Sequence, residues 1–299
     1  MTVKPEDVGT LLSGYSLEVT PASAARIERF QEYLPPGTTV NVTFLSSSSD
    51  IDEIVLVSER LRAEGFNPVP HIAARNIESE VQLENYLAAL RKQAAVDEVL
   101  VIGGGAAVPV GPYPSTMHIL KSGLLESYGI RKIGVAGHPE GSPDISAAEL
   151  SKALSDKNMW AKKSGLDVYI ETQFCFSASA IMNWERRIRS EGNQLPIHIG
   201  LPGVTSIKTL MKFAQISGVG PSLEVLRRQA RNVAKLVARQ EPDSVVAGVA
   251  TARASDPDCL INRVHFYTFG GIKSTAAWAS AAAAGKIIPK ADGGFRICQ

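Results

Sequence analysis

The sequence predicts an α/β protein and, within that class, one (β/α)8 TIM barrel domain over residues 1–299. Three observations carry this. Eight short runs of apolar and β-branched residues alternate with helix-length segments, the pattern of a parallel sheet with right-handed crossovers. The 299 residues approach the usual size of such a barrel, and closure leaves no edge strand to protect. No Pro/Gly/Ser-rich linker, low-complexity tract or close internal repeat divides the chain. An open doubly wound sheet is the competing arrangement.

Strands are expected near Tyr15–Thr20, Thr39–Phe44, Pro68–Ile72, Glu98–Gly103, Lys132–Ala136, Val168–Phe174, Pro196–Leu201 and Val264–Phe269. Between and after them, Ser23–Tyr33, Ile51–Glu64, Glu78–Gln93, Thr116–Ser127, Ala147–Ser164, Ser177–Glu191, Ser206–Ser217 and Ile272–Ala284 place apolar residues three and four apart, as helices with one buried face do. The interval from Leu201 to Val264 exceeds a single crossover. An additional helix over Leu223–Arg239 is expected there, inserted between strands 7 and 8 of the barrel.

Composition narrows the partners. With 44% hydrophobic and 20% charged residues and a formal net charge of +1, the chain lacks the basic excess that nucleic-acid binding favours. Arg227, Arg228, Arg231 and Lys235 recur at helical spacing and read as a solvated face. Cys175, Cys259 and Cys298 show neither disulfide-framework nor zinc-ligand spacing, which fits a reducing cytosol. Residues 1–10 have no apolar leader core, no run approaches a bilayer span, and Ala276–Ala284 reads as a tightly packed helix. A cytoplasmic protein without membrane insertion is expected, and a homo-oligomer stays open.

Several strand runs end in polar residues, among them Glu18, Thr43, His71, His138 and Gln173, and the C-terminal ends of parallel barrel strands open onto one face. Glu18, amid Ser16, Leu17 and Val19, is expected to be partly desolvated, with a raised pKa suited to general acid work; pairing with a nearby Lys or Arg is the alternative. Alternation puts Glu171 and Gln173 on one face and Thr172 on the other. Gln173 offers a donor and an acceptor to a heterocyclic amide or a nicotinamide carboxamide, or else satisfies neighbouring backbone.

Gly103, Gly104 and Gly105 have neither a Walker ending nor Rossmann spacing. They read as a place where a flat or phosphorylated ligand nears the backbone, or as a flexible turn. His71 and His138 lack a carboxylate at helical ligand spacing, so hydrogen bonding is expected of them and no metal site. Ser46–Ser49 has no nucleophile elbow and reads as a polar loop that caps the next helix through Ser49 or Asp50.

The order of short motifs resembles the methylenetetrahydrofolate reductase family over nearly the whole chain. The motifs are Ser16-Leu17-Glu18-Val19-Thr20-Pro21, Val42-Thr43-Phe44, Pro70-His71-Ile72, Tyr113-Pro114-Ser115, Gly137-His138-Pro139-Glu140, Thr172-Gln173-Phe174, Ile199-Gly200-Leu201-Pro202-Gly203, Lys212-Phe213-Ala214 and His265-Phe266-Tyr267-Thr268. The resemblance implies non-covalent FAD, NADH or NADPH as co-substrate, a tetrahydrofolate substrate, and a ping-pong reaction over one flavin face. It implies that Glu18 is the general acid that helps convert the methylene-bridged folate to its reactive iminium. By the same resemblance Thr43, Phe44, His71, Gly103–Gly105, Pro114 and His138 match flavin-contacting positions. Gln173 matches a glutamine shared by folate and nicotinamide, and Phe213 an aromatic that stacks on substrate. Lys157, Lys162 and Lys163 lie where the family keeps a phosphate-contacting lysine, in a register that differs by about one residue.

The chain also departs from the family pattern. Gly103-Gly104-Gly105 stands where relatives have Arg-Gly-Asp, Thr209 where they have a folate-contacting glutamine, and Gly271 near an arginine for the folate tail, a charge that Lys273 could supply. Loss of the aspartate is expected to make the flavin potential less negative and to ease 5-methyltetrahydrofolate oxidation, so a mainly oxidative role stays open. A flavin-free barrel partner or regulatory subunit is a further alternative. A lyase or aldolase would need a strand-end Schiff-base lysine or a metal.

Overall fold

The computed structural model describes residues 3–44, 51–216, 239–291 and 293–298. Eight parallel strands close into a barrel in the order β1-β10-β7-β6-β5-β4-β3-β2. They are β1 (Ser16–Val19), β2 (Thr39–Val42), β3 (Asn67–Ala73), β4 (Glu98–Ile102), β5 (Lys132–Gly137), β6 (Asp167–Thr172), β7 (Ile197–Pro202) and β10 (Ile261–Tyr267). All eight expected strands are present, with ends shifted by at most three residues. Among the described residues, two antiparallel pairs lie outside the barrel: β8 (Thr205–Ser206) with β9 (Arg239–Gln240), and β11 (Ile287–Pro289) with β12 (Phe295–Ile297).

Contacts group the chain into two compact units. One comprises Ser16–Ala136 and Asp156–Glu171; the other comprises Met1–Tyr15, Gly137–Ser155 and Thr172–Gln299.

In the unit that carries β2 to β4, strand alternation separates two faces. Leu17, Val19, Val40, Val42, Val99, Val101, Ile133, Val135 and Ile170 are fully or nearly fully buried. Each such side chain stabilises the fold by roughly 1.5–3 kcal/mol relative to exposure. On the other face Leu100 and Tyr169 meet at Gly134, where a Cβ would lie 2.7 Å from Leu100 and 2.8 Å from the Tyr169 ring. Gly134 is thus the space into which the tyrosine packs. Helices Ile51–Ala63 and Glu80–Ala94 pack against each other and cover this unit as expected.

In the other unit, Phe266 of β10 packs edge-on against Tyr15 and Trp278, and Trp278 stacks on Phe295 of β12 at 5.5 Å. Asp243 accepts from the Phe295 backbone N–H and pairs with Lys290 at 2.6 Å, which ties β12 to the helix Asp243–Ala254.

Several helices differ from expectation. The region Ser23–Tyr33 holds only a turn of helix at Pro21–Ala24 and a 3-10 turn at Phe30–Glu32. Its backbone is satisfied from outside: Arg60 donates to the carbonyls of Ala24, Ile27 and Glu28, and Glu64 accepts from the Phe30 N–H. The segment Thr116–Ser127 breaks into Thr116–Leu120 and Leu124–Ser127, because Gly123 between them sits at φ +76°. Helices Pro5–Leu12 and Asp243–Ala254 and the β11–β12 hairpin were not expected.

The helix expected over Leu223–Arg239 falls on residues 217–238, outside the described residues, as do Arg227, Arg228, Arg231 and Lys235. Arg239 itself pairs with Ser206 in β9 and β8. The Ser46–Ser49 loop with Asp50 also lies outside them. Among the described residues, no helix is long and apolar enough to cross a membrane.

Candidate active site

The first unit concentrates polar groups where strand alternation would place apolar ones. Glu18 of β1 lies beside Asn41 of β2 in the parallel register, so the two side chains share a face. Asn41 is fully buried, and its Nδ2 donates to Glu171 Oε1 at 2.7 Å and approaches His71 Nε2 at 3.5 Å. Buried polar groups persist when their hydrogen bonds offset desolvation, and this set draws on β2, β3 and β6. The backbone at His71 is anchored as well, since the Tyr86 hydroxyl donates to its carbonyl at 3.1 Å.

Glu18 is half-buried and accepts from the Thr43 hydroxyl at 3.0 Å. Burial raises its carboxyl to about 7, against a smaller opposing pull from Thr43. A carboxyl that titrates there can hold a proton at neutral pH and release it to a reacting group. Thr43 is held in turn by its backbone N–H, which donates to Val19 at 2.9 Å. Burial has the opposite effect on His71, whose imidazole drops to about 3 and is neutral at ordinary pH.

Structure separates the three candidate lysines. Lys162 and Lys163 are exposed, whereas Lys157 is buried and its Nζ donates to the Ala136 carbonyl at 3.0 Å. Desolvation lowers the Lys157 pKa to about 8. An ammonium has three donors, so a phosphate oxygen could take up those that remain.

The triglycine segment has a more specific reading than ligand proximity. Gly104 sits at φ +87°, and a Cβ there would meet Asn76 Oδ1 at 2.5 Å and Ala73 Cβ at 3.1 Å. Protein, not ligand, imposes that glycine. Gly103 has nothing within 4 Å of its missing Cβ and remains open to a ligand. The loop is stitched down by the Arg75 N–H to Gly103 at 2.9 Å and the Val110 N–H to Arg75 at 3.0 Å, while the Arg75 guanidinium donates to Ala107. Pro114 is exposed, and Phe44 is half-buried beside the undescribed residues 45–50.

The second unit contributes rings. Phe174, Leu210 and Ala214 are buried together, with Phe176, Met211, Phe213, Tyr267 and Phe269 packed against them. Phe213 stacks on Phe269 at 4.4 Å and 26°, and the Tyr267 hydroxyl donates to the Thr172 carbonyl at 3.0 Å. Gln173 is half-buried and its Oε1 accepts from the Phe174 N–H at 3.1 Å. Among the described residues its NH2 group has no such partner, so this is the end that a ligand acceptor could meet.

Thr209 is engaged locally, sharing a hydrogen bond with Ser206 at 3.0 Å at the start of helix Ile207–Ile216. Lys273 is exposed in the first turn of Ile272–Ala283, and His138 is half-buried just after β5. Sequence reasoning missed Asn41 and Glu171 as site residues, and missed Phe269. The alternation that placed Glu171 on the face of Gln173 was the available signal for Glu171, and nothing local marks its pairing with Asn41. Among the described residues, no group of three or more His, Cys, Asp or Glu gathers to hold a metal.

Comparisons with known proteins bear on the fold and the family. An uncharacterized protein from Clostridium thermocellum that binds two copies of 5-methyl-5,6,7,8-tetrahydrofolic acid shares the fold, with a TM-score of 0.55 and 12% identity over 90% of this chain and 94% of that one. A 3-dehydroquinate dehydratase from Geobacillus kaustophilus HTA426 superposes less well, with a TM-score of 0.36 and 12% identity over 73% of this chain and 92% of that one. The sequence matches the methylenetetrahydrofolate reductase family model over residues 18–281, from β1 into the last helix, and the chain belongs to that family.

Proposed function

We propose that this protein is an FAD-dependent oxidoreductase that interconverts 5,10-methylenetetrahydrofolate and 5-methyltetrahydrofolate, with NADH or NADPH as hydride partner. The observation that carries the reading is Glu18, a half-buried carboxyl raised to about 7 and steadied by Thr43. When the methylene bridge opens, one bridging nitrogen leaves and needs a proton. A carboxyl that keeps its proton near neutrality suits that step. Family membership and a folate-binding structural neighbour support the substrate class.

The described residues fit a flavin. His71 Nδ1 and Asn41 Oδ1 are buried without a hydrogen-bond partner among the described residues, and Lys157 is a buried cation with one carbonyl acceptor. In this reading Thr43, His71 and Gly103 hold the cofactor and Lys157 meets its phosphates. When bound, FAD would supply the hydride chemistry. Gln173 orients the polar edge of folate or nicotinamide through its NH2 group, and Phe213 offers a ring face once Phe269 yields it. Purified protein should be yellow, with bands that bleach under NADH or NADPH; colourless protein that takes up no FAD would refute the assignment.

A second reading concerns direction. The segment Gly103-Gly104-Gly105 carries no negative charge to disfavour an anionic reduced flavin, which favours oxidation of 5-methyltetrahydrofolate. A spectroelectrochemical midpoint less negative than that of relatives with Arg-Gly-Asp is expected. An equal or more negative value removes this reading.

A further inference from the structure

We infer that His71 is a neutral hydrogen-bond donor through Nδ1, its tautomer set by Asn41 and the orientation of Asn41 set in turn by Glu171. The site this creates takes a ligand acceptor atom, such as a carbonyl oxygen, an imine-type ring nitrogen or a phosphate oxygen. Histidine in this role cannot accept a hydrogen bond from a ligand at the same position.

The argument begins at Glu171, 3% exposed, whose Oε1 lies 2.7 Å from the amide nitrogen of Asn41. An ionised Glu171 only accepts, so the end of Asn41 facing it is the NH2 group; the flipped amide would set two acceptors against each other. This fixes an assignment that is otherwise a matter of choice for an asparagine. The same nitrogen is 3.5 Å from His71 Nε2. A protonated Nε2 would set two donors face to face, so Nε2 presents its lone pair and the ring proton sits on Nδ1.

Nδ1 is buried and has no hydrogen-bond partner among the described residues, on a side chain only 6% exposed. Leaving such an N–H unmet costs about 1–3 kcal/mol, which an arriving acceptor recovers. Burial also keeps the ring from taking a second proton at neutral pH, so the donor persists across the neutral range. Asn41 and Glu171 act here as positioning residues, through His71.

The tautomer can be read without ligand, so its failure is distinct from failure of the flavin assignment. The full chain is labelled with 15N in its histidine rings, and long-range 1H–15N spectra are recorded at neutral pH. Among the five histidines, His71 is assigned by the signal lost in His71→Asn. The expected pattern is that of a neutral ring protonated at Nδ1. Asn41→Leu should shift His71 to the Nε2-protonated pattern; should that variant fail to fold, Asn41→Ser, too short to reach the ring, makes the same test. Glu171→Gln should give both patterns, because a glutamine amide can meet Asn41 in either orientation. An Nε2-protonated or doubly protonated His71 in the unmodified chain overturns the inference, as does an unchanged pattern in a folded Asn41 variant. A single Nδ1 pattern in Glu171→Gln removes the part assigned to Glu171.

Discussion

The two units of this protein differ in the side chains they gather. In the first, Glu18, Asn41, His71, Lys157 and Glu171 are polar side chains held wholly or partly out of water, and burial shifts Glu18 up, His71 down and Lys157 down. In the second, Phe174, Phe213, Tyr267 and Phe269 offer rings whose contacts are largely insensitive to pH. On the proposed function, the difference separates proton handling and charge recognition from orientation by stacking. Variants in the two regions should therefore fail in different observables.

The largest expected effect belongs to Glu18→Gln. Loss of a positioned acid costs about 10²–10⁴-fold, and the loss should fall on the folate half-reaction while flavin reduction by nicotinamide continues. Stopped-flow measurement of each half-reaction checks this, and equal loss in both would contradict the role of Glu18. In the unmodified chain the acid form is present below about 7 and is lost as pH rises through that value. The folate half-reaction in the reducing direction should therefore slow above neutrality, and the nicotinamide half-reaction should lack that limb.

Lys157→Met should come next. A hydrogen bond to a charged group contributes about 1.5–3 kcal/mol, or roughly 10- to 150-fold in affinity. FAD titration followed by fluorescence quenching would report it, with Lys162→Met and Lys163→Met as exposed controls that bind normally. Because the ammonium of Lys157 is lost as pH rises through about 8, FAD binding should weaken on the alkaline side, and the methionine variant should show no such fall.

Phe213→Ala sharpens the comparison from the aromatic side. An aromatic contact contributes about 0.5–1.5 kcal/mol beyond burial, so folate affinity should fall a fewfold by calorimetry while the pH profile keeps its shape. A changed profile would mean that the two regions are not separable. Smallest is Lys273→Ala: an exposed charge contributes about 0.2–1 kcal/mol, and folate binding should weaken slightly, more at low salt than at high. No change at low salt would dismiss Lys273 as the tail contact.

The legibility of these regions in sequence follows the same physics. The eight barrel strands were readable because runs such as Val99-Leu100-Val101 bury both faces and carry the signal twice. Ser23–Tyr33 misled because Ile27 and Phe30 are buried at helical spacing while Arg60 and Glu64, remote in sequence, satisfy the backbone. Asp243–Ala254 was missed since Val245, Val246, Ala247, Val249 and Ala250 are buried around it and blur the helical period. Pro5–Leu12 could have been found, for Pro5 opens the helix and Val8, Leu11 and Leu12 form its apolar face.

At the site, Glu18 announced itself as a lone charge in an apolar run. The ion-dipole pairing of Asn41 with Glu171 joins residues 130 apart and leaves no local trace. The choice among Lys157, Lys162 and Lys163 required helix phase, which the sequence carried only to within one residue. Phe269 was hidden by its backbone, a φ of +47° that nothing in the neighbouring residue types demands.

The stitched loop after β4 makes its glycines unequal. Gly104 is dictated by its surroundings, whereas Gly103 has open space for a side chain and Gly105 is exposed. A charged side chain at position 103 could thus be seated without displacing the hydrogen bonds that pin the loop, so the electrostatics there can be retuned while the main chain stays as it is.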